Sequence, residues 1–320
     1  ESATYTDDGI HINREDAKIP WSGYLGTEVI HFAGLRVWKQ KFGLATYVGY
    51  PFRDYPMDGI MGLAWPSIGM QNVTSIIQNI LPDLGSSIFT VWMDRQCSSR
   101  NAFSYHEPSE GENSGLITFG GLDYLHCSDE TVYVPLSSLG YWQFTIDGFM
   151  IGTYAIIARQ EAISDTSRSW IYGPSAAITT IAEKAGGWYN SKYELYVIRC
   201  TEIYNDLPFS FIIDGRLYSI PSREYILDLG YGKGVCVLAF VEVSSNGFGP
   251  SWALGATFIR TYCNIYDIGT RRIGFQRAIH SAPHDYSCSF YPCSFGLFKQ
   301  QREYKIEYKQ QVQNFRTTLR

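Results

Sequence analysis

The chain alternates short apolar stretches with turns that contain polar residues, Gly or Pro. Apolar, aromatic and β-branched residues in runs of four to seven, separated by turn residues, predict strands rather than helices. The pattern therefore predicts a protein built mainly of β-strands. The clearest predicted strands cover residues 9–12, 24–30, 34–37, 88–93, 116–121, 141–146 and 162–164.

Two segments instead show the spacing of an amphipathic helix. The first covers residues 66–81, where four β-branched side chains fall on one face and Ser67 or Asn72 could cap the start. The second runs from Ser175 to about Ala185, with a Pro before its first turn and two glycines after its end. Both segments are predicted to be helices.

Composition narrows the class of protein. The 320 residues are 45% hydrophobic and 18% charged, which indicates a folded chain, long enough for one large domain or for two lobes of ordinary size. Lys and Arg total 26 against 31 Asp and Glu, giving a net charge of −5. We therefore expect no nucleic-acid partner. Because no apolar run approaches about 18 residues, we expect no membrane span either.

The seven cysteines predict disulfides rather than a metal site. They form no CxxC pair, and no His lies at zinc-finger spacing from two of them, so no metal is expected. Disulfides imply an oxidising compartment, and Asn72 begins an N-glycosylation sequon that fits secretion. Proximity along the chain predicts pairing of Cys97 with Cys127 and of Cys288 with Cys293.

Asp165 is the first candidate for chemistry. It follows Ala-Ile-Ser at the end of an apolar stretch and precedes Thr-Ser. A carboxylate on such a tight turn can be held by backbone N–H groups and stay open to a cleft. A strand-end Asp that only caps its turn gives the same local pattern, so both interpretations stand at this point.

Several ordered segments give a stronger signal than Asp165 alone. They are PMDGIMGLAWPSI at 56–68, GLITFGGLD at 115–123, YWQ at 141–143, DTSRS at 165–169, WALG at 252–255, FIR at 258–260 and RIGF at 272–275. Together they resemble, in the same order, the pepsin family of aspartic endopeptidases. The resemblance covers roughly residues 2–278.

The resemblance implies an all-β, bilobal, pepsin-like acid protease fold with an incomplete first lobe. Residues 1–136 are expected to form the remainder of the N-terminal lobe with its flap region, and residues 137–278 the C-terminal lobe. Residues 279–320 are expected to be a mobile, basic C-terminal extension.

The family mechanism needs one aspartate from each lobe, and the pair activates a water molecule. By resemblance, Asp165 is the second-lobe aspartate, Thr166 is the Thr that braces the paired loops, and Ser167 replaces the motif's Gly. Arg168 replaces a Thr or Ser that supports the aspartate. A guanidinium beside Asp165 would favour the ionised carboxylate and hinder proton sharing.

In the first lobe, this chain departs further from the family pattern. Its Asp-Thr-Gly motif should lie upstream of Ser2, and the pattern does not recur elsewhere in the chain. Thr6-Asp7-Asp8-Gly9 is expected to be a turn, and Asp58, Asp147 and Asp214 precede Gly without a hydroxyl residue. Counting back from the Ser22-Gly23 pair places the flap on Asp16, Ala17 and Lys18.

The resemblance also bears on the cysteines. Cys200 and Cys236 match the second-lobe disulfide, and Cys263 lies on a segment that resembles a core strand of the family. We therefore expect a Cys200–Cys236 bond and a buried free thiol at Cys263.

The leading functional hypothesis is an aspartic endopeptidase, a secreted or lysosomal monomer without a cofactor, acting on a polypeptide in an inter-lobe cleft. Because Asp165 is the one identifiable catalytic aspartate, little or no peptidase activity is expected of these 320 residues alone. One alternative is a pseudoenzyme that binds peptides or proteins, favoured by the changed flap, Ser167, Arg168 and Ala256 in place of the family's Asp. Another is a homodimer that brings two copies of Asp165 together.

Overall fold

A computed structural model describes residues 2–14, 20–50, 58–69, 73–94, 115–243 and 249–280. About half of these residues lie in strands, which confirms the all-β fold class. They fall into two compact units, one before Ile88 and one from Ile88 onwards. The lobe boundary between residues 136 and 137 stays a prediction.

The described residues contain four short helices and 20 strands. The helices are α1 (Ile76–Ile80), α2 (Ser175–Ala185), α3 (Ser222–Tyr225) and α4 (Ala256–Ile259). The strands are β1 (Thr6–Arg14), β2 (Trp21–Phe32), β3 (Leu35–Val48), β4 (Ile88–Met93), β5 (Gly115–Phe119), β6 (Val132–Pro135), β7 (Ser138–Leu139), β8 (Trp142–Ile151), β9 (Tyr154–Ser164), β10 (Ile171–Pro174), β11 (Trp188–Asn190), β12 (Leu195–Arg199), β13 (Phe209–Ile213), β14 (Arg216–Ile220), β15 (Ile226–Leu227), β16 (Val235–Leu238), β17 (Phe240–Val243), β18 (Trp252–Leu254), β19 (Tyr262–Asp267) and β20 (Arg272–Arg277).

The two predicted helices fared differently. Helix α2 is confirmed, and it ends where Gly186 takes a φ of 86°, a left-handed conformation that glycine adopts without steric cost. The single helix predicted over residues 66–81 is wrong. Among the residues of this range that the structure describes, the helical ones form a 3₁₀ turn at Pro66–Ile68, helix α1, and a second 3₁₀ turn that begins at Leu81 and ends at Asp83.

The residues between these helical segments explain why residues 66–81 do not form one helix. Gly69 is extended (φ −70°, ψ 157°) and ends the first turn, and Ser75, rather than Ser67 or Asn72, is the residue before α1. The buried side chains of Ile76, Ile77 and Ile80 require only the one turn that α1 provides.

The first unit is a three-stranded antiparallel sheet with the order β1-β2-β3. Helix α1 follows it in sequence and is tied to β3 by side-chain hydrogen bonds. The Gln40 amide donates to the Thr74 carbonyl at 3.0 Å, and the Asn79 amide donates to Gln40 Oε1 at 2.8 Å. Gln40 is itself buried, so these bonds satisfy polar groups that water does not reach.

The second unit contains three sheets. The largest has the order β14-β13-β8-β9-β18-β10-β17, with β7 paired to β8. A four-stranded sheet has the order β11-β12-β16-β15, and a five-stranded sheet has the order β5-β4-β19-β20-β6. In the largest sheet the Trp252 ring packs against Phe149 and Phe211, each with its ring centroid 5.2 Å away. This aromatic core supports the strands that carry Asp165.

A disulfide joins Cys127 to Cys263, which overturns two expectations. Cys127 does not pair with Cys97, which lies outside the described residues, and Cys263 is not a free thiol. Strand β19 lies between β4 and β20, and Cys127 forms an isolated bridge with Ala278 just after β20. Sheet topology therefore brings together two cysteines that are 136 residues apart in sequence.

The structure contains the Cys200–Cys236 disulfide that the family resemblance implied. In the antiparallel pairing of β12 with β16, Cys236 lies opposite Ile198, two residues before Cys200. The pairing of Cys288 with Cys293 lies outside the described residues. No helix in the described ranges is long and apolar enough to cross a membrane.

The hairpin between β19 and β20 is held by the buried carboxylate of Asp267. Its Oδ1 accepts from the Thr270 backbone N–H at 2.9 Å, and its Oδ2 accepts from the Thr270 hydroxyl at 2.6 Å and from Arg272 Nε at 2.8 Å. Burial alone would raise the pKa of Asp267, but these hydrogen bonds outweigh it, and the pKa lies below its ordinary value.

We expect Asp267→Asn to lower the free energy of unfolding near pH 6 by about 1.5–3 kcal/mol, the usual range for hydrogen bonds to a charged group. A carboxylate with a lowered folded-state pKa stabilises the protein above its unfolded pKa of about 3.9 and loses that contribution as the pH falls. The difference from wild type should therefore shrink below about pH 4. Urea unfolding across this pH range measures it, with the exposed Asp206→Asn as control. A pH-independent difference would contradict the assignment.

Candidate active site

Asp165 lies on the turn that connects β9 to β10, over the end of the strand between them. β18 pairs parallel with β9 and antiparallel with β10, so the turn passes across the end of β18. The Asp165 N–H donates to the Leu254 carbonyl at 3.1 Å, and the Ala256 N–H donates to the Arg168 carbonyl at 2.8 Å. Sheet topology thus fixes the backbone of the turn at both ends.

Gly255 allows this close approach. Its N–H donates to the Trp170 carbonyl at 3.1 Å. A Cβ at this position would lie 2.4 Å from the carbonyl oxygens of both Arg168 and Trp170, nearer than real Cβ contacts allow. The glycine of the WALG segment is therefore required for packing beneath the turn, and its φ of −90° shows that left-handed geometry is not the reason.

The Asp165 carboxylate accepts three hydrogen bonds. Its Oδ1 accepts from the Ser167 backbone N–H at 3.0 Å and from the Ser167 hydroxyl at 2.6 Å. Its Oδ2 accepts from Arg168 Nε at 3.0 Å. The side chain is 22% exposed, so the carboxylate is held in one orientation while part of it reaches solvent.

Arg168 forms an ion pair with Asp165 from within the same turn. The Arg168 N–H donates to the Asp165 carbonyl at 3.2 Å, which closes a four-residue β-turn. The guanidinium carbon lies 4.3 Å from the centroid of the Tyr172 ring, a cation–π distance. The Arg168 side chain is 22% exposed, like its partner. A guanidinium beside Asp165 could be expected from the sequence, but its contact with Tyr172 could not.

A buried polar network lies next to Asp165 in the chain. The Ser164 hydroxyl donates to Asn264 Oδ1 at 2.8 Å and lies 2.7 Å from the Tyr266 hydroxyl. Because Ser164 has one proton and gives it to Asn264, Tyr266 is the donor to Ser164. Burial raises the pKa of Tyr266 above its ordinary value, which keeps the phenol protonated for this role.

Sequence reasoning missed Asn264 and Tyr266 because they lie about 100 residues from Ser164. A polar Asn between Cys263 and Ile265, on a strand buried at every position, was the available signal. A polar side chain at such a position needs a hydrogen-bond partner.

The other predicted site residues are less defined by the structure. Thr166 is half-buried at the second position of the turn, and its bracing role stays a prediction. The flap residues Asp16, Ala17 and Lys18 and the sequon residue Asn72 lie outside the described residues. Cys200, Cys236 and Asp228 form a cluster of metal-type ligands, but both sulfurs are joined in the disulfide and one carboxylate remains.

The segment Thr6-Asp7-Asp8-Gly9 is part of β1, so its expected assignment as a separate turn is wrong. The register of β1 against β2 shifts between Asp7 and Ile10, and Gly9 takes a φ of 69° at this bulge. Asp8 accepts from the Thr27 hydroxyl at 2.9 Å and lies 3.0 Å from Lys41 Nζ. The hydrogen bond from Lys41 lowers the pKa of Asp8. The Asp8 carboxylate is thus bound by residues of β2 and β3, the other two strands of its own sheet.

Comparison with known proteins identifies the family. The protein-family model described as eukaryotic aspartyl protease matches residues 1–278. Aspartic protease 17 of Caenorhabditis elegans is 42% identical over 261 residues, 81% of this chain and 64% of that protein. Aspartic protease 1 of the same organism is 40% identical with the same coverage, and pepsin A of Bos taurus is 33% identical over 258 residues, 79% of this chain and 65% of that protein.

The chain therefore belongs to the eukaryotic aspartyl protease family, and the pepsin-like resemblance drawn from its motifs is confirmed. It spans 64% of the length of the two Caenorhabditis elegans relatives.

Proposed function

We propose that the protein is an aspartic endopeptidase and that Asp165 is the catalytic aspartate of its C-terminal lobe. The observation that carries this proposal is the state of the Asp165 carboxylate. It is fixed by two donors from Ser167 on a turn anchored to β18, and it remains 22% exposed. An aspartate that only capped its turn would use the Ser167 N–H in the same way, and the membership of the chain in the aspartyl protease family favours the catalytic role.

Peptide-bond hydrolysis by this mechanism requires a second carboxyl group, and we assign no residue of this chain to that role. Asp165 would take a proton from a water molecule as that water attacks the peptide carbonyl carbon, and the second carboxyl group would protonate the carbonyl oxygen. Asp165 would then give that proton to the nitrogen of the tetrahedral intermediate as the C–N bond breaks, and a hydroxyl of the intermediate would return a proton to the second carboxyl group. Ser167 orients the carboxylate through both steps.

The substrate would be a polypeptide bound in extended form, and the protein would act as a monomer in the secretory pathway or a lysosome-like compartment. The two disulfides support this location, because such bonds persist in oxidising compartments. The family supports the substrate class.

A second candidate function is binding of peptides or proteins without hydrolysis. The ion pair between Arg168 Nε and Asp165 Oδ2 at 3.0 Å favours it, because a carboxylate that is neutralised by a guanidinium shares a proton less readily.

An acid peptidase assay on the full-length native protein tests the proposal. We expect Asp165→Ala to lower the cleavage rate of an unfolded polypeptide by roughly 10²–10⁴-fold, the usual contribution of general acid–base catalysis. Asp147→Ala is a matched control, because Asp147 is 25% exposed and lies 3.4 Å from Arg159. Cleavage that survives in Asp165→Ala, or wild-type cleavage no faster than in Asp165→Ala, would refute the proposal. Size-exclusion chromatography of the same sample separates a monomer from a homodimer.

A further inference from the structure

Arg168 is held against Asp165 by contacts on three sides. Its carbonyl accepts from the Ala256 N–H, its own N–H donates to the Asp165 carbonyl, and its guanidinium lies over the Tyr172 ring. Moving the side chain away would break the ion pair and the cation–π contact together. The guanidinium is thus a fixed part of the turn, in contrast to the 82%-exposed Arg159 that pairs with Asp147.

We propose that Arg168 is a positioning residue that keeps Asp165 in the carboxylate form, so that Asp165 is the base and its partner carboxyl group carries the shared proton. This inference rests on the proposed endopeptidase function and assigns the two proton-transfer roles within it.

The hydrogen bonds support this assignment of roles. The Ser167 N–H and hydroxyl both point at Oδ1, and Arg168 Nε–H points at Oδ2. A proton on Oδ1 would compete with donors that are already there, and a proton on Oδ2 would leave the guanidinium beside a neutral group, whereas the carboxylate satisfies all three donors and balances the charge. With both side chains 22% exposed, the attraction between them is screened less than at an open surface.

Two tyrosines lie near Asp165. The Tyr172 ring lies under the guanidinium of Arg168, and the Tyr266 hydroxyl is bonded to the neighbouring Ser164. Burial raises the pKa of Tyr266, so that phenol stays neutral under acidic conditions. Arg168 is the cation that contacts the Asp165 carboxylate in this turn.

The pH dependence of kcat/KM for the full-length native protein tests the inference. Replacing Arg168 with Thr, a residue that the pepsin-like motif carries here, removes the positive charge. We expect the Arg168→Thr profile to move toward higher pH, with the ratio of the rate at about pH 6 to that at about pH 4 rising roughly tenfold. Arg168→Lys keeps the charge and should stay close to wild type, and Arg159→Thr should leave the profile unchanged.

The outcomes separate this inference from the proposed function. A folded Arg168→Thr variant with Asp165-dependent cleavage and an unmoved profile would overturn the role of Arg168 and leave the endopeptidase assignment standing. An Arg168→Lys profile that shifts as far as that of Arg168→Thr would also overturn it. Cleavage that appears only when Arg168 is replaced would overturn both proposals for the wild-type chain. Absence of Asp165-dependent cleavage in every variant would do the same.

Discussion

Removing the Cys127–Cys263 disulfide is expected to lower the free energy of unfolding by about 5 kcal/mol. The bond joins residues 136 apart, and in the chain-entropy model a cross-link stabilises more when it closes a longer loop of the unfolded chain. Both sulfurs are buried beside the Trp92 ring. The double variant Cys127→Ala/Cys263→Ala, followed by urea unfolding with Trp fluorescence, measures the effect.

The second disulfide provides the control for this expectation. Cys200 and Cys236 are 36 residues apart, so the same model gives about 4 kcal/mol for the double variant Cys200→Ala/Cys236→Ala. The first pair should therefore cost about 1 kcal/mol more than the second. An equal or reversed order would show that local packing, rather than loop length, determines what these bonds contribute.

The cysteines also show where prediction from the sequence ends. The Cys200–Cys236 pairing could be expected because the family resemblance supplied it. The pairing of Cys127 could not, because proximity along the chain favoured Cys97, whereas β19 is inserted between β4 and β20 and brings Cys263 to Cys127. Such an insertion is a property of sheet topology, which local sequence patterns do not encode.

In the candidate site, too, some features could be predicted from the local sequence and others could not. The strand before Asp165, the polar turn and the guanidinium at Arg168 are all local, and their residue types predicted them. The cation–π contact with Tyr172 and the close approach of Gly255 depend on β18 lying between β9 and β10. The helix predicted over residues 66–81 failed for a related reason, because apolar spacing does not show where an extended Gly69 interrupts the chain.

We expect Glu224→Gln to lower the free energy of unfolding by about 3–5 kcal/mol, because it leaves the charge of Arg260 buried without its counter-charge. Arg260 Nε lies 3.4 Å from Glu224 Oε2, and the two side chains are only 6% and 2% exposed. A buried ion pair is costly to form, yet removing one partner costs more than removing both. Replacing both residues with Met should therefore restore much of the lost stability.

An exposed ion pair in the same chain is the matched control. Arg216 Nη1 lies 3.1 Å from Glu130 Oε1, a shorter distance than in the buried pair, but the side chains are 57% and 80% exposed. Solvent screens such pairs, so Glu130→Gln should cost less than about 1 kcal/mol. The comparison makes burial the deciding variable, because distance alone predicts the opposite order. If Glu224→Gln costs no more than Glu130→Gln in urea unfolding, the Arg260 charge is compensated by groups other than Glu224.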